Sequence, residues 1–318
     1  MELPFIYKYQ PMFLKDFEID EQLLTLIHTL ITMDSLNVLF VGDTGCGKTS
    51  IISAIIREYY QCGGKNYNEN ILTINSLNDQ GIAYYRSEVK TFCQTSCSVP
   101  GKKKIIILDD LDMINEQSQQ VFRNCIDKYS DNVHFVASCM NTQKVIESLQ
   151  SRMTIIKIKA LKTENLFKIS NRICKIENIN LTDDAEEFIL SISNNSVRIL
   201  MNYLEKLKLL SQDITLEVAS NVCTNIAFQD FACYTTHCKH NEIVDAVKIM
   251  YTIFDKGYSV MDILDNYFLF VKTTPLVSDE EKYNIVSIIC KYIAAFHNIH
   301  EDEIELALFT NNLISVLH

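Results

Sequence analysis

The chain reads as an α/β protein: a parallel-sheet domain over 1–159, a small helical lid over 160–225 and an all-helical C-terminal domain over 226–318. Three observations predict this. From about Ser35 to Lys159, short β-branched and apolar runs alternate with amphipathic stretches, the pattern of a parallel sheet covered on both faces. Beyond Lys159 such runs cease, and apolar residues recur at three- and four-residue spacing over Thr163 to Leu210 and again over Asn241 to His318. Finally, three of the eight glycines, Gly42, Gly45 and Gly47, fall within six residues of one another, in the stretch VLFVGDTGCGKTS.

The elements follow in order. Leu36 to Val41 is predicted as a buried strand, and Ser50 to Tyr60 as a helix, so the glycines occupy a strand-to-helix turn. Such a turn can point successive backbone N–H groups at an anion while the helix adds the positive end of its dipole. The pattern GxxxxGK followed by Ser or Thr then assigns Lys48 to the β- and γ-phosphates of a nucleotide and the Thr49 hydroxyl to Mg²⁺. Further strands are predicted at Ile71 to Asn75, Lys104 to Leu108, Val133 to Cys139 and Thr154 to Ile158. Gly257 and Pro275 punctuate the last helical region.

The strand Lys104 to Leu108 runs into Asp109 and Asp110. A carboxylate at the carboxyl end of a strand beside the phosphate loop can hold water on Mg²⁺, and a second can orient the attacking water. Asp109 is assigned the first role and Asp110 the second. The next strand leads into Met140-Asn141-Thr142, where a polar side chain, Asn141, is placed to sense the γ-phosphate. Arg152, at a helix-to-strand turn, is placed to face a neighbouring subunit's nucleotide and stabilise transition-state charge.

Composition narrows the classes. Apolar residues make up 47% and charged residues 22%, as in a folded globular chain. No apolar run reaches the ~18 residues of a membrane helix, and MELPFIYKYQP lacks the basic and apolar regions of a secretory leader. Eleven scattered cysteines suit reduced thiols of a nuclear or cytosolic setting. The net charge of -11 argues against indiscriminate coating of nucleic acid, though it allows a few local basic contacts. Cys233, His237, Cys238 and His240 crowd together without a second ligand pair, so they are read as a polar connection between helical units rather than a zinc site.

Several segments together carry a resemblance: Lys8-Tyr9-Gln10-Pro11, the GDTGCGKT loop, IIILDDLD, Gln150-Ser151-Arg152 and SVRILMN from Ser196. They resemble the small subunits of replication factor C, the eukaryotic and archaeal sliding-clamp loader of the AAA+ class, and DKGYSVMDIL from Asp255 is similar to that family's collar helices. The resemblance implies an AAA+ domain with a phosphate loop, a helical lid and a helical collar that drives oligomerisation. It implies an ATPase with ATP and Mg²⁺ as cofactors, working in a pentameric hetero-oligomeric ring on a sliding clamp and primer-template DNA. A nuclear location follows from it, or the cytoplasm or a viral replication site if the chain is viral, since the high Asn and Ile content suits an AT-rich genome such as that of a large DNA virus.

Site residues carry over by position. Gly42, Asp43, Thr44, Gly45, Cys46, Gly47, Lys48, Thr49 and Ser50 form the nucleotide loop, and Asp109 is the magnesium-linked acid. Arg198 matches the lid arginine at the γ-phosphate, and Arg152 the finger offered to the adjacent subunit. Tyr9 and Pro11 match the segment near the adenine, with Gln10 replacing its arginine. By spacing alone Arg86 and Lys90 are a solvated helix face. The resemblance of GIAYYRSEVKTF, from Gly81, assigns them to the primer-template backbone. Arg123 matches the first of two adjacent arginines, and Asn124 replaces the second.

The departures bear on mechanism. Asp110 stands where the family has glutamate, one methylene shorter, which implies slow hydrolysis. The sensing asparagine falls on Met140, with Asn141 one place late, and Met153 replaces a cysteine. Two alternatives follow: a subunit that binds ATP but hydrolyses little, or another AAA+ DNA-processing ATPase. The latter is expected to add a winged-helix domain, and nothing after Asn241 resembles one.

Overall fold

The computed structural model of the chain describes residues 3–60, 67–75, 84–210, 213–224, 226, 228–296 and 298–317. Gly81, Ile82 and Ala83 of the predicted DNA-facing segment lie outside them. Contacts divide the chain into two compact units, Met1–Ile169 with Asn195–Asn202, and Ser170–Asn194 with Tyr203–His318.

The first unit is built on five strands: β1 Val38–Val41, β2 Ile71–Asn75, β3 Lys104–Asp109, β4 Val133–Cys139 and β5 Thr154–Lys157. Their order in the sheet is β2-β3-β4-β1-β5, and every pairing is parallel. Alternation along each strand splits the apolar residues between two faces. Val38 and Phe40 of β1, with Ile105, Val136 and Ile156, pack against Ile51, Ile52, Ile55 and Tyr59 of the helix Lys48–Tyr60. Leu39, with Ile106, Leu108, Phe135 and Ala137, packs on the other face against Val89, Phe122 and Ile126. A fully buried phenylalanine such as Phe40 contributes about 2–3 kcal/mol of transfer free energy, so each face is held by several comparable anchors.

The predicted strands are all present, with shifts at the ends. β1 starts at Val38 rather than Leu36. The cause lies in Asn37, whose side-chain oxygen accepts the Phe135 N–H at 2.9 Å, a donor that a continued strand backbone would have met. The predicted helix Ser50 to Tyr60 begins at Lys48, because the turn of the glycine loop already brings the Ile51 N–H to the Gly47 carbonyl, 2.9 Å away.

The second unit is helical. Its core gathers Phe231, Tyr234, Tyr267, Phe270 and Phe309, fully or almost fully buried, with edge-to-face contacts such as Tyr234 to Tyr267 at 5.3 Å. The buried hydroxyls find partners: Tyr234 meets Thr310 at 3.1 Å, and Tyr267 meets Thr235 at 3.2 Å. One expectation is corrected here. The stretch around Cys233 and His237 is not a polar connection but part of a helix, Phe228–Lys239. Phe231, Tyr234, Thr235 and Cys238 recur on one buried face, and the polar His237 and Lys239 sit outside it. Among the described residues no helix is long and apolar enough to cross a membrane.

Candidate functional site

The carboxyl ends of β1, β3 and β4 meet at one side of the sheet, and the site is assembled there. Leaving β1, the chain turns through Gly42 to Gly47. Gly45 and Gly47 have φ of +75° and +95°, the left-handed region that side chains rarely adopt. A side chain on Gly45 would also collide with the Ser196 hydroxyl, and one on Gly42 would lie 2.6 Å from the Ile158 carbonyl oxygen. The loop thus closes tightly under the start of the helix Val197–Lys208, which carries Arg198.

A cavity of about 250 Å³ opens over this loop. Thr44, Gly45, Gly47, Lys48, Thr49 and Ser50 line it from the loop, and Asp109, Asp110 and Met140 from the ends of β3 and β4. Arg198 closes a further side, and Tyr9 and Pro11 come in from the N-terminal segment. That segment is tied to the loop by the Gln10 amide, which donates to the Ser50 hydroxyl at 3.2 Å. Gly42, Asp43 and Cys46 do not line the cavity. The carbonyls of Gly42 and Asp43 accept from the Lys48 ammonium at 2.7 and 2.9 Å, and Cys46 is buried in the core below.

Lys48 is itself buried, with its ammonium folded onto those carbonyls beside the cavity. The Thr49 hydroxyl stands 3.4 Å from both carboxylate oxygens of Asp109. A hydroxyl and a carboxylate facing one cavity are the hard oxygen donors that Mg²⁺ prefers, so Thr49 and Asp109 fit that ion. Ser138, on the adjacent strand β4, donates to Asp109 at 2.5 Å and accepts the Asp110 N–H at 3.1 Å.

Asp110 has φ +51° and ψ +53°, the left-handed region that aspartate and asparagine enter more readily than other side-chain-bearing residues. Burial pushes its carboxyl above the ordinary range, and the charges of Asp109 and Asp112 push it further, against Lys48 and Arg198. Asp112 is buried and accepts the N–H groups of Met140 and Asn141 at 3.3 and 3.2 Å, which fixes the turn after β4. Its other oxygen has no hydrogen-bond partner among the described residues.

Asn141 is not brought into the cavity. Its side-chain oxygen accepts the Gln143 N–H at 2.9 Å and caps a short helical turn, while Met140 lines the cavity in its stead. Sequence reasoning missed Ser138 and Asp112. A serine inside the wholly buried strand VHFVASC is the trace that marks the first, and the fourth position of DDLD marks the second.

The remaining predicted residues lie elsewhere in the first unit. Arg86 and Lys90 line a groove of about 300 Å³ together with Gln120, Asn124 and Lys128. They stand on a π-helical turn, Tyr85–Val89, and the helix Lys90–Gln94 that continues it. Arg123 and Arg152 both face Asp127, at 3.7 and 2.5 Å.

Residues 38–160 match the model of the ATPase family associated with various cellular activities (AAA). Over 291 residues, the chain is 30% identical to the replication factor C small subunit of Methanococcus maripaludis, covering 91% of each chain. It is 27% identical over 315 residues to replication factor C subunit 4 of Schizosaccharomyces pombe, covering 98% of this chain and 90% of the relative. Among solved structures, the RuvB Holliday junction branch migration motor of Thermotoga maritima superposes with a TM-score of 0.53 at 15% identity, covering 72% of this chain and 79% of that one. Domain III of the Thermotoga maritima replication initiation protein DnaA gives 0.51 at 16% identity, covering 66% and 95%. Those two likenesses speak for the AAA+ fold alone. The sequence relatives match across nearly the whole chain, and they show that it belongs to the replication factor C small-subunit family.

Proposed function

We propose that this chain is an ATP-hydrolysing subunit of a sliding-clamp loader in DNA replication. The observation that carries the reading is the convergence of Lys48, Thr49, Asp109, Asp110 and Arg198 on one cavity over the glycine loop. A triphosphate seated there meets backbone N–H groups at the loop, the Lys48 ammonium at its β- and γ-phosphates and the Arg198 guanidinium at the γ-phosphate. Mg²⁺, held by Thr49 and Asp109, would supply neutralisation of the phosphate charge.

Asp110 orients the attacking water and accepts its hydrogen bond. Tyr9 and Pro11 flank the adenine. Arg152 faces the nucleotide of the next subunit in a pentameric ring of related chains, and Arg86, Lys90 and Arg123 contact the primer-template backbone. ATP held between neighbours favours the ring form that grips an open clamp on DNA, and hydrolysis releases it.

A second reading, that the chain binds ATP but leaves turnover to its neighbours, is favoured by two observations. Asp110 is one methylene short of glutamate and sits in a left-handed turn, and Met140 rather than an amide lines the cavity at the end of β4. The complex purified with its native partner chains decides between them. ATP turnover stimulated by clamp and primed DNA, and lost from this chain's site in Asp110→Asn, supports the first reading. A site that is silent in the wild type and gains turnover in Asp110→Glu supports the second. Turnover indifferent to clamp, to primed DNA and to Lys48→Ala contradicts both.

A further inference from the structure

We infer that Asp127 is a positioning residue for Arg152: its carboxylate fixes the guanidinium so that one edge remains presented outward for an anionic group on a neighbouring molecule. The inference rests on the reading of Arg152 as the finger supplied in trans. Arg152 follows the short helix Glu147–Gln150, and Arg123 and Asp127 stand one turn apart on the helix Glu116–Tyr129. The two elements pack together.

Arg152 Nε donates to Asp127 Oδ1 at 2.5 Å, and Arg152 Nη1 donates to the Ser148 carbonyl at 2.6 Å and approaches the Ser151 hydroxyl at 3.4 Å. These bonds take up the inner part of the guanidinium fork. Nη2 makes no hydrogen bond to any described residue, and the side chain remains 30% exposed. A planar fork held at two nitrogens has one orientation left, whereas an untethered arginine must lose its rotamer freedom each time it meets its target.

Arg123 shows that the pairing is selective. It lies on the same helix face as Asp127, the usual geometry for an i,i+4 ion pair. Yet its Nε is 3.7 Å from Asp127 Oδ2 and is buried without a hydrogen-bond partner among the described residues, while Arg152 holds the short bond. Asp127 thus serves the arginine that is distant in sequence at the expense of the one on its own helix. The hydrogen bond from Arg152 holds the Asp127 carboxyl below the ordinary range, so the bond persists through neutral pH.

The chain has six arginines, so the Nε–H resonances of the full chain can be resolved after ¹⁵N-arginine labelling. The Arg152 Nε–H, assigned with Arg152→Lys, is expected to be shifted and slow to exchange with water in the wild type, and fast in Asp127→Asn. The second arm is ATP turnover of the complex with native partner chains, read as kcat and KM separately. Arg152→Ala is expected to slow the adjoining site. Asp127→Asn is expected to lower kcat there by about 10- to 100-fold with little change in KM, the scale of a misplaced group. Asp127→Glu is expected to restore most of it, and Asp127→Asn to add nothing in an Arg152→Ala background.

The inference is overturned if Asp127→Asn matches or exceeds the wild-type rate while Arg152→Ala is slow. It is also overturned if Asp127→Asn costs as much with Arg152 absent as with it present. If Arg152→Ala turns over like the wild type, the trans-finger reading fails instead, and the resonance arm alone tells whether the tether exists.

Discussion

At the scale of single residues, the chemistry of the site explains both what can be read from the chain and what cannot. Lys48, Thr49, Asp109 and Asp110 are recognisable because a phosphate loop and a strand-end carboxylate require those residue types at those spacings. Ser138 is invisible to that logic. Its role arises because β3 and β4 pair in parallel, with Leu108 opposite Ala137, so the hydroxyl one residue further on reaches Asp109 and the Asp110 N–H. Removing it in Ser138→Ala leaves the part-buried Asp110 N–H without its acceptor, a cost of about 1 kcal/mol. We expect a lower melting temperature together with reduced ATP turnover, measured by thermal denaturation and phosphate release. An unchanged rate would show that the left-handed turn at Asp110 stands without it. Asn141 illustrates the converse: its residue type suits a phosphate sensor, but the backbone N–H of Gln143 claims its oxygen.

At the scale of elements, the sheet was legible because its strands are buried on both faces and therefore read as unbroken β-branched runs. The helices after the sheet were legible by their three- and four-residue spacing except for Leu216–Cys223 and Phe228–Lys239, which fall between the two spans so read; in the latter, cysteines and histidines obscured Phe231 and Tyr234. The groove lined by Arg86, Lys90 and Lys128 could be anticipated only in part. Two of its cations lie on one local turn, and the third is delivered by the far end of the helix Glu116–Tyr129. If this groove tracks a nucleic-acid backbone, neutralising Arg86 and Lys90 together should weaken binding of primed DNA to the assembled complex. The slope of log affinity against log salt should become shallower by about 2. Unchanged affinity and slope would remove the groove from the contact set.

At the scale of the molecule, a cluster of titratable groups lies at the end of the sheet opposite the glycine loop. Away from the nucleotide loop, His134 at the start of β4 meets Asp34 at 3.0 Å, and the Tyr59 hydroxyl donates to the same carboxylate at 2.6 Å. Burial pushes the imidazole below its ordinary range, against the hydrogen bond and charge of Asp34. The Asp34 carboxyl is pushed up by burial, but bonds from Tyr59 and His134 and the charge of Lys103 bring it below its ordinary range. The folded state therefore binds the His134 proton less readily than the unfolded chain does. Its contribution to stability is complete above the unfolded value of about 6.5 and declines as pH falls below it. The Asp34 contribution survives to lower pH and is lost only below the ordinary carboxylate value. Melting temperature should fall between about pH 7 and pH 5, and His134→Asn should flatten that fall; an equally steep profile in the variant would exclude this histidine as its source.

Every role proposed above requires a nucleoside triphosphate in the cavity above Gly42 to Ser50. Titration calorimetry with Mg-ATP, performed on the chain together with its native partners, decides the point. A saturable heat is expected from this chain's site in the wild type and none from that site in Lys48→Ala. Equal heats in the two proteins, or no heat in either, would contradict it.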